Sequence, residues 1–235
     1  FSEDASFSNK VFVVLQYLLP QHLLSRAVGW LAENETPWLK KFLIEKFIRQ
    51  FGVNMNEAVE PDYKRYRSFN QFFTRALAEG VRPICDDDVC CPADGQVSQV
   101  GTIKHGRIFQ AKGHSFTAQE LLGGDEQLAA LFDGGLFATV YLSPRDYHRV
   151  HMPVAGRLLR SIYIPGDLFS VNATTAENVP NLFARNERLV AIFDTEYGEM
   201  AVVLVGAMIV AGIETVWGGQ VAPRLRKIEV QDFVS

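Results

Sequence analysis

The chain predicts an α+β protein, with a helical N-terminal region over residues 1–82 followed by an antiparallel β-rich domain over residues 83–235. Three observations lead there. Apolar residues recur at helical spacing up to Phe51. Near Pro83 the long stripes give way to short apolar runs separated by glycines. Those runs are bounded by turn formers such as Asp94-Gly95 and Pro165-Gly166.

The helical region divides at its punctuation. Val11, Val14, Leu15, Leu18 and Leu19 form a stripe that stops at Pro20, and Leu23, Leu24, Ala27, Val28 and Leu31 form a second. A third opens with Thr36 as N-cap and Pro37 at the first helical position. It runs through Trp38, Leu39, Phe42, Leu43, Phe47, Ile48 and Phe51 to Gly52. Lys40, Lys41, Lys46 and Arg49 occupy much of its other face. Such a helix suits a membrane surface, and it equally suits packing on its own core with a solvated charged face. Ser68 to Gln71 reads as a capping box opening a short helix with Phe69, Phe72, Phe73 and Leu77. The preceding Lys64, Arg65 and Arg67 read as a solvated cluster or as an attraction to anionic lipid.

In the second domain the expected strands are Gln96–Val100, Arg107–Ala111, Leu136–Leu142, Arg157–Tyr163, Leu189–Phe193, Ala201–Val205, Met208–Ile213 and Thr215–Trp217. Ala118–Leu122 and Asp125–Phe132 read as short helices among them.

Composition narrows the function classes. A net charge of −4 argues against a nucleic-acid partner. Residues 1–82 hold 11 Lys+Arg against 9 Asp+Glu, so the acidic excess lies in the second domain. Cys85, Cys90 and Cys91 match no zinc spacing and make a poor disulfide framework, so free thiols in a reducing compartment are expected. No signal peptide is visible, although the chain opens on Phe1, which leaves room for processing upstream. The longest apolar run, Ala201 to Ile213, is too short for a bilayer, so any membrane contact is expected at the surface.

Chemistry concentrates in Tyr141-Leu-Ser-Pro-Arg-Asp-Tyr-His148-Arg-Val-His151-Met-Pro153. This stretch holds two of the five histidines at the end of a strand. Ser143-Pro144 with Asp146 reads as a helix start, and one helical turn would put His148 and His151 on one side. A metal site needs further ligands, and this His-x-x-His has no partner spacing. A hydrolase triad needs a nucleophile, and neither Ser143 nor Ser170 sits in a Gly-x-Ser-x-Gly elbow. Asp94 is either a turn residue or an acid that orients a histidine. Lys112 beside Gly113 is weak evidence for a phosphate contact. Arg185-Asn-Glu-Arg188 reads as a solvated turn or as part of a long functional loop, and Glu214 as a buried pair or an outward strand residue.

The Tyr141–Pro153 stretch closely resembles the signature of pyruvoyl-dependent phosphatidylserine decarboxylases, in their bacterial membrane-associated branch. So do Pro92-Ala-Asp-Gly95, Ala111-Lys-Gly-His114, Tyr163 to Asn172, Asn178 to Arg188 and Val205 to Trp217. The resemblance runs in order from about Leu15 to Pro223. It implies a precursor that cuts itself at a Gly-Ser bond when the serine hydroxyl attacks the preceding carbonyl. Elimination then leaves a covalent pyruvoyl group on a small α chain, whose carbonyl forms a Schiff base with phosphatidylserine and acts as electron sink for decarboxylation. By the same resemblance Asp94 and His151 join the cleavage serine in a self-processing triad. His148 serves decarboxylation, Ser170 contacts the headgroup, and no metal takes part. The helical region becomes membrane-associating and the β-rich domain catalytic. The implied partners are the α chain, an anionic membrane on the cytoplasmic face of the bacterial inner membrane, and a second αβ protomer.

One departure stands out. The sequence contains no Gly-Ser dipeptide and closes on Phe233-Val-Ser235, and residues beyond Pro223 leave the family pattern. The expectation is a β chain whose α chain is separate, with a non-catalytic lipid-binding relative lacking the cleavage serine as the alternative. A metal-dependent hydrolase is the third reading.

Overall fold

The computed structural model describes residues 2–222 and 227–233, with side chains described from residue 8 onward. In chain order the helices and strands begin with α1 (Ser2–Leu18), α2 (Gln21–Ala32), α3 (Pro37–Phe51) and α4 (Phe69–Phe73). There follow β1 (Gln96–Thr102), β2 (Arg107–Ala111), β3 (His114–Thr117), α5 (Ala118–Leu121), α6 (Glu126–Ala130), β4 (Leu136–Tyr141) and β5 (Gly156–Ile164). The chain continues with α7 (Ala173–Asn178), α8 (Leu182–Arg185), β6 (Arg188–Thr195), β7 (Gly198–Val205), β8 (Ile213–Thr215), β9 (Gly219–Ala222) and β10 (Glu229–Asp232). It is a mixed α+β architecture with antiparallel sheets. Two compact units are formed, one from residues 1–26, 99–139 and 156–235, the other from residues 27–98 and 140–155.

The first unit is built on a four-stranded antiparallel sheet in the order β10-β5-β6-β7. Successive strand residues point to opposite faces, and both faces of β6 are covered. Val190 and Ile192 join Ile162, Ile164, Ile108, Phe116 and Leu122 in one core, and Leu189 joins Tyr163, Ile213 and Val221 in another. That double burial explains why Leu189–Phe193 reads as an unbroken apolar run rather than an alternating one. α1 belongs to this unit. Its Val13 packs with Phe169, Val179 and Leu182, and its buried Gln16 accepts the Ser170 N–H at 2.8 Å.

The segment 165–188 is far more ordered than a solvated loop. It folds α7 and α8, and Asn186, Glu187 and Arg188 are all buried. Asn186 Oδ1 accepts the Phe169 N–H, while Nδ2 donates to the carbonyls of Phe169 and Gly206, both at 2.9 Å. Glu187 accepts the Tyr163 hydroxyl, and Arg188 donates to the carbonyls of Glu120, Leu121 and Asn186. Burial pushes the Arg188 pKa down to about 10. The Asn186 and Arg188 side chains satisfy the backbone of an irregular segment in the interior, where an unmet polar group is costly. The Arg185-Asn-Glu-Arg188 turn is therefore a buried scaffold, and Glu214 is exposed on β8.

Other departures have local causes. Thr36 makes no side-chain cap; its own N–H instead bonds Asn34 Oδ1 at 2.8 Å. Residues 208–212 form no strand, and an isolated bridge joins Ala207 to Val210. β10, which no expected strand covered, pairs with β5 from Glu229↔Tyr163 to Asp232↔Arg160.

No described helix alone is long and apolar enough to cross a membrane. The pair Ser8–Leu18 and Gln21–Ala32 passes by length and composition but is bent by 88°.

Asn186→Ala leaves the Phe169 N–H and the Gly206 carbonyl without their side-chain partner, while the Phe169 carbonyl keeps the Met208 N–H at 3.4 Å. At roughly 1–3 kcal/mol for each group left unsatisfied, a loss of about 2 kcal/mol or more is expected, read as a lower urea midpoint.

Candidate active site

The histidine stretch lies in the second unit, whose core is aromatic. Ile44, Phe47, Ile48 and Phe51 of α3 pack with Tyr66, Phe69, Phe72 and Phe73, with Phe47 edge-on to Phe69 at 5.1 Å. α4 starts at Ser68, whose side chain accepts the Gln71 N–H at 3.2 Å. Gln71 Oε1 takes the N–H of Arg67 rather than that of Ser68, so the reciprocal half of the capping box is displaced by one residue.

The end of α4 forms a template for the histidines. The Phe73 ring lies 4.0 Å from the His148 ring. The Thr74 carbonyl accepts from Arg149 Nε at 2.8 Å, and Arg75 Nη2 donates to the Arg145 carbonyl at 3.2 Å. Residues 143–146 form a turn and not the expected helix start. Asp146 Oδ2 accepts both the N–H and the hydroxyl of Ser143, at 2.6 and 2.7 Å, and so caps the turn on itself. Ser143 is thereby a turn partner, and the two histidines do not share a helical face.

His148 is half-buried, with Nδ1 2.8 Å from the Asp146 carbonyl. A carbonyl oxygen only accepts, so Nδ1 carries the proton and, in the neutral ring, Nε2 carries the lone pair. Burial holds the His148 pKa below the usual histidine range. The bond to Asp146 opposes that shift, and the Arg75 charge adds to it.

His151 is exposed, and its ring stacks on Tyr147, with Nε2 3.1 Å from the Tyr147 hydroxyl. Its main-chain N–H donates to Pro92 at 2.8 Å, two residues before Asp94, and the Cys90 N–H donates to Pro153 at 2.8 Å. Asp94 is held by Arg82, Nε to Oδ1 at 2.9 Å and Nη2 to Oδ2 at 2.7 Å; Nη2 also reaches Glu57 at 2.9 Å. The bonds to Asp94 and Glu57 raise the Arg82 pKa. A Cβ on Gly95 (φ +149°) would stand 2.4 Å from the Tyr141 carbonyl oxygen, so only glycine lets these two strand ends meet. The Asp-Gly pair thus serves a close approach of main chains.

The structure brings Asp94, His148 and His151 into one unit, but it pairs Asp94 with Arg82 and His151 with Tyr147 rather than with each other. Ser170 lies in the first unit, its hydroxyl 2.6 Å from that of Thr175. The Lys112 amine pairs with Glu177 at 2.5 Å. Among the described residues no group of three or more His, Cys, Asp or Glu could hold a metal ion.

Sequence reasoning missed Arg82, Arg75 and Tyr147. Two signals were available: a lone arginine directly after Phe72-Phe73-Thr74, and an aromatic hydroxyl one helical turn's spacing from His151.

Comparison with known proteins decides the family. A model described as phosphatidylserine decarboxylase matches residues 69–232, and one described as PSD matches residues 11–52. The phosphatidylserine decarboxylase proenzyme of Pseudomonas aeruginosa strain LESB58 is 62% identical over 226 residues, covering 95% of this chain and 78% of the relative. The chain belongs to the phosphatidylserine decarboxylase family. The proenzymes of Ectopseudomonas mendocina strain ymp and Pseudomonas putida strain F1 are 62% and 61% identical, each covering 94% of this chain and 78% of the relative. As a phosphatidylserine decarboxylase family member the chain falls among carboxy-lyases made as proenzymes.

The depressed His148 pKa sets a stability window. Between the usual value near 6.5 and the lower value in the fold, the unfolded chain binds the extra proton, so stability is lost as pH falls through that interval. Urea midpoints measured from pH 7.5 down to 5 are expected to drop more for the native protein than for His148→Gln.

Proposed function

We propose that the chain is the β chain of a self-processed phosphatidylserine decarboxylase. It would convert phosphatidylserine to phosphatidylethanolamine and carbon dioxide with a pyruvoyl group carried on a separate α chain. The identity to curated proenzymes supports the enzyme over a non-catalytic lipid-binding relative. The 235 residues hold no Gly-Ser dipeptide, and the proenzymes are longer than the matched part, so the cleavage serine of this reading belongs to sequence outside these residues.

The observation that carries the reading is the state of His148: a half-buried, neutral imidazole with Nδ1–H committed to Asp146 and Nε2 open. The Phe73 ring gives an apolar wall beside the imidazole, and the Nε2 lone pair is the acceptor that a substrate ammonium N–H would meet. The pyruvoyl carbonyl supplies the electron sink that lets the carboxylate leave. His148 Nε2 takes a proton from the substrate ammonium, and the imidazolium returns it to the α-carbon after carbon dioxide has gone. Burial makes that imidazolium a stronger acid than a solvated one.

For self-processing, His151 takes the proton of the cleavage serine, with Tyr147 positioning its ring. Arg82 holds the Asp94 carboxyl group through Nε and Nη2, and that group is the acceptor for an imidazole N–H in this reading. Ser170 is the headgroup contact of this reading, where it would exchange its bond to Thr175 for one to substrate.

Membrane contact is assigned to the apolar residues left outside. In the second unit Trp30 and Trp38 are each 71% exposed and Phe42 is exposed beside Lys41, Lys46 and Arg49; in the first unit α1 exposes Val14, Leu15 and Leu18. Aromatic rings beside lysines suit the headgroup layer of an anionic bilayer. The proposed setting is peripheral, on the cytoplasmic face of a bacterial inner membrane, as a dimer of αβ protomers.

In the full precursor, Asp94→Asn and His151→Gln are expected to slow cleavage by about 10⁴-fold, leaving an uncut band on a denaturing gel. His148→Gln should instead cut normally, release a small chain with a carbonyl-reactive N-terminus, and decarboxylate roughly 10²–10⁴-fold more slowly. Normal cleavage in the first two, or an ordinary serine N-terminus on the small chain, would overturn the assignment.

Replacing Trp30, Trp38 and Phe42 together by Glu should weaken flotation with anionic liposomes while leaving the thermal melt unchanged. Flotation equal to the native enzyme would remove these residues from the membrane contact.

A further inference from the structure

Arg75 has no place in the machinery described so far, and its surroundings are unusual. It is only 4% exposed, and its guanidinium lies 5.4 Å over the Phe72 ring. Nη2 donates to the Arg145 carbonyl at 3.2 Å, but Nε and Nη1 are buried without a partner. Arginine stays charged, and a buried guanidinium with unmet donors is an expensive arrangement. The carboxylates near enough to compensate it are Glu57 and Asp94, and both are already bonded by Arg82. Among the described residues no carboxylate is hydrogen-bonded to Arg75, and its one hydrogen bond goes to the turn it holds.

That turn ends in His148. Arg75 reaches it through the Arg145 carbonyl, one residue before Asp146, whose own carbonyl accepts from His148 Nδ1. We propose that Arg75 is a positioning residue for decarboxylation: its bond to the Arg145 carbonyl holds the turn whose next carbonyl, that of Asp146, orients His148, and its buried positive charge opposes a second positive charge on that ring. This rests on the role given above to His148.

The other groups around the imidazole do not supply that effect. The Asp146 carboxylate, bonded to Ser143 and 3.9 Å from Arg145 Nε, favours the protonated ring. Phe73 is uncharged, and Arg149 is an exposed cation whose Nε is bonded to Thr74. Tyr66 faces Arg75, and its hydroxyl donates to the Glu60 carbonyl. Arg75 is thus the buried cation of the set, and its charge acts in the same direction as desolvation.

The test reads His148 itself. In the assembled enzyme with labelled histidine, the ring is titrated by NMR and identified by the signal missing in His148→Gln. Arg75→Met removes the charge and leaves no orphaned donor, a change that buried sites commonly tolerate. Arg75→Gln removes the charge but can still donate to Arg145. Both should move the His148 midpoint upward, and Arg75→Lys should leave it near the native value. In both neutral variants kcat should fall, with its acid limb displaced to higher pH, while KM stays the same. A native midpoint in Arg75→Met or Arg75→Gln, whatever the activity, overturns the proposal. The midpoint is read without turnover. If it shifts as stated while His148→Gln decarboxylates normally, the catalytic role of His148 fails and the hold of Arg75 on its protonation stands.

Discussion

The contact of Phe73 with His148 is the constraint on which the site depends. A ring 4.0 Å away removes water from one side of the imidazole, and that desolvation is the largest influence on its protonation. Phe73 can hold that position because it belongs to an aromatic cluster with Phe47, Phe69 and Phe72, packed from α3 and α4. The two residues that follow this short helix present the Thr74 carbonyl and the Arg75 guanidinium, so one segment carries an apolar, a neutral polar and a charged grip on a single turn. Local sequence makes this possible: Ser68 caps the helix, and the chain leaves helical geometry at Thr74.

The first unit solves a different problem. Its sheet is covered on both faces, and the connection between β5 and β6 must cross the interior with its main-chain groups satisfied. Asn186 and Arg188 do that work with side-chain bonds to carbonyls and an N–H group well separated in sequence. Gly166 allows the main chain to close up, since a Cβ there would sit 2.1 Å from the Arg185 carbonyl oxygen.

Periodicity read well wherever burial is one-sided or continuous. The helical stripes ending at Pro20 and Gly52, and the run Leu189–Phe193, appear as α1, α3 and β6 close to the expected bounds. Local rules failed where a tertiary partner intervened. Ser143-Pro144 carries the marks of a helix start, but Asp146 closes it into a turn. Asn186 and Arg188 look like solvated turn residues because nothing nearby in sequence shows that they meet Phe169 and Glu120. The apolar stripe of α3 read as one face, yet it divides: Phe47, Ile48 and Phe51 enter the core while Trp38 and Phe42 stay outside. Asp94, His148 and His151 were legible through their motifs. Their partners Arg82, Arg75 and Tyr147 were not, since those pairings depend on the fold.

Gly95 separates two properties that usually vary together. The Arg82–Asp94 pair is partly exposed, so ionic strength can weaken it. The approach of the Asp94 strand to the histidine turn, by contrast, is made by main chain: Gly95 against Tyr141, and Pro92 with His151. Salt can therefore change how strongly the carboxylate is held without changing where its backbone lies. The spacing of the site behaves as a mechanical property of the chain, insensitive to the solution conditions that adjust its charges.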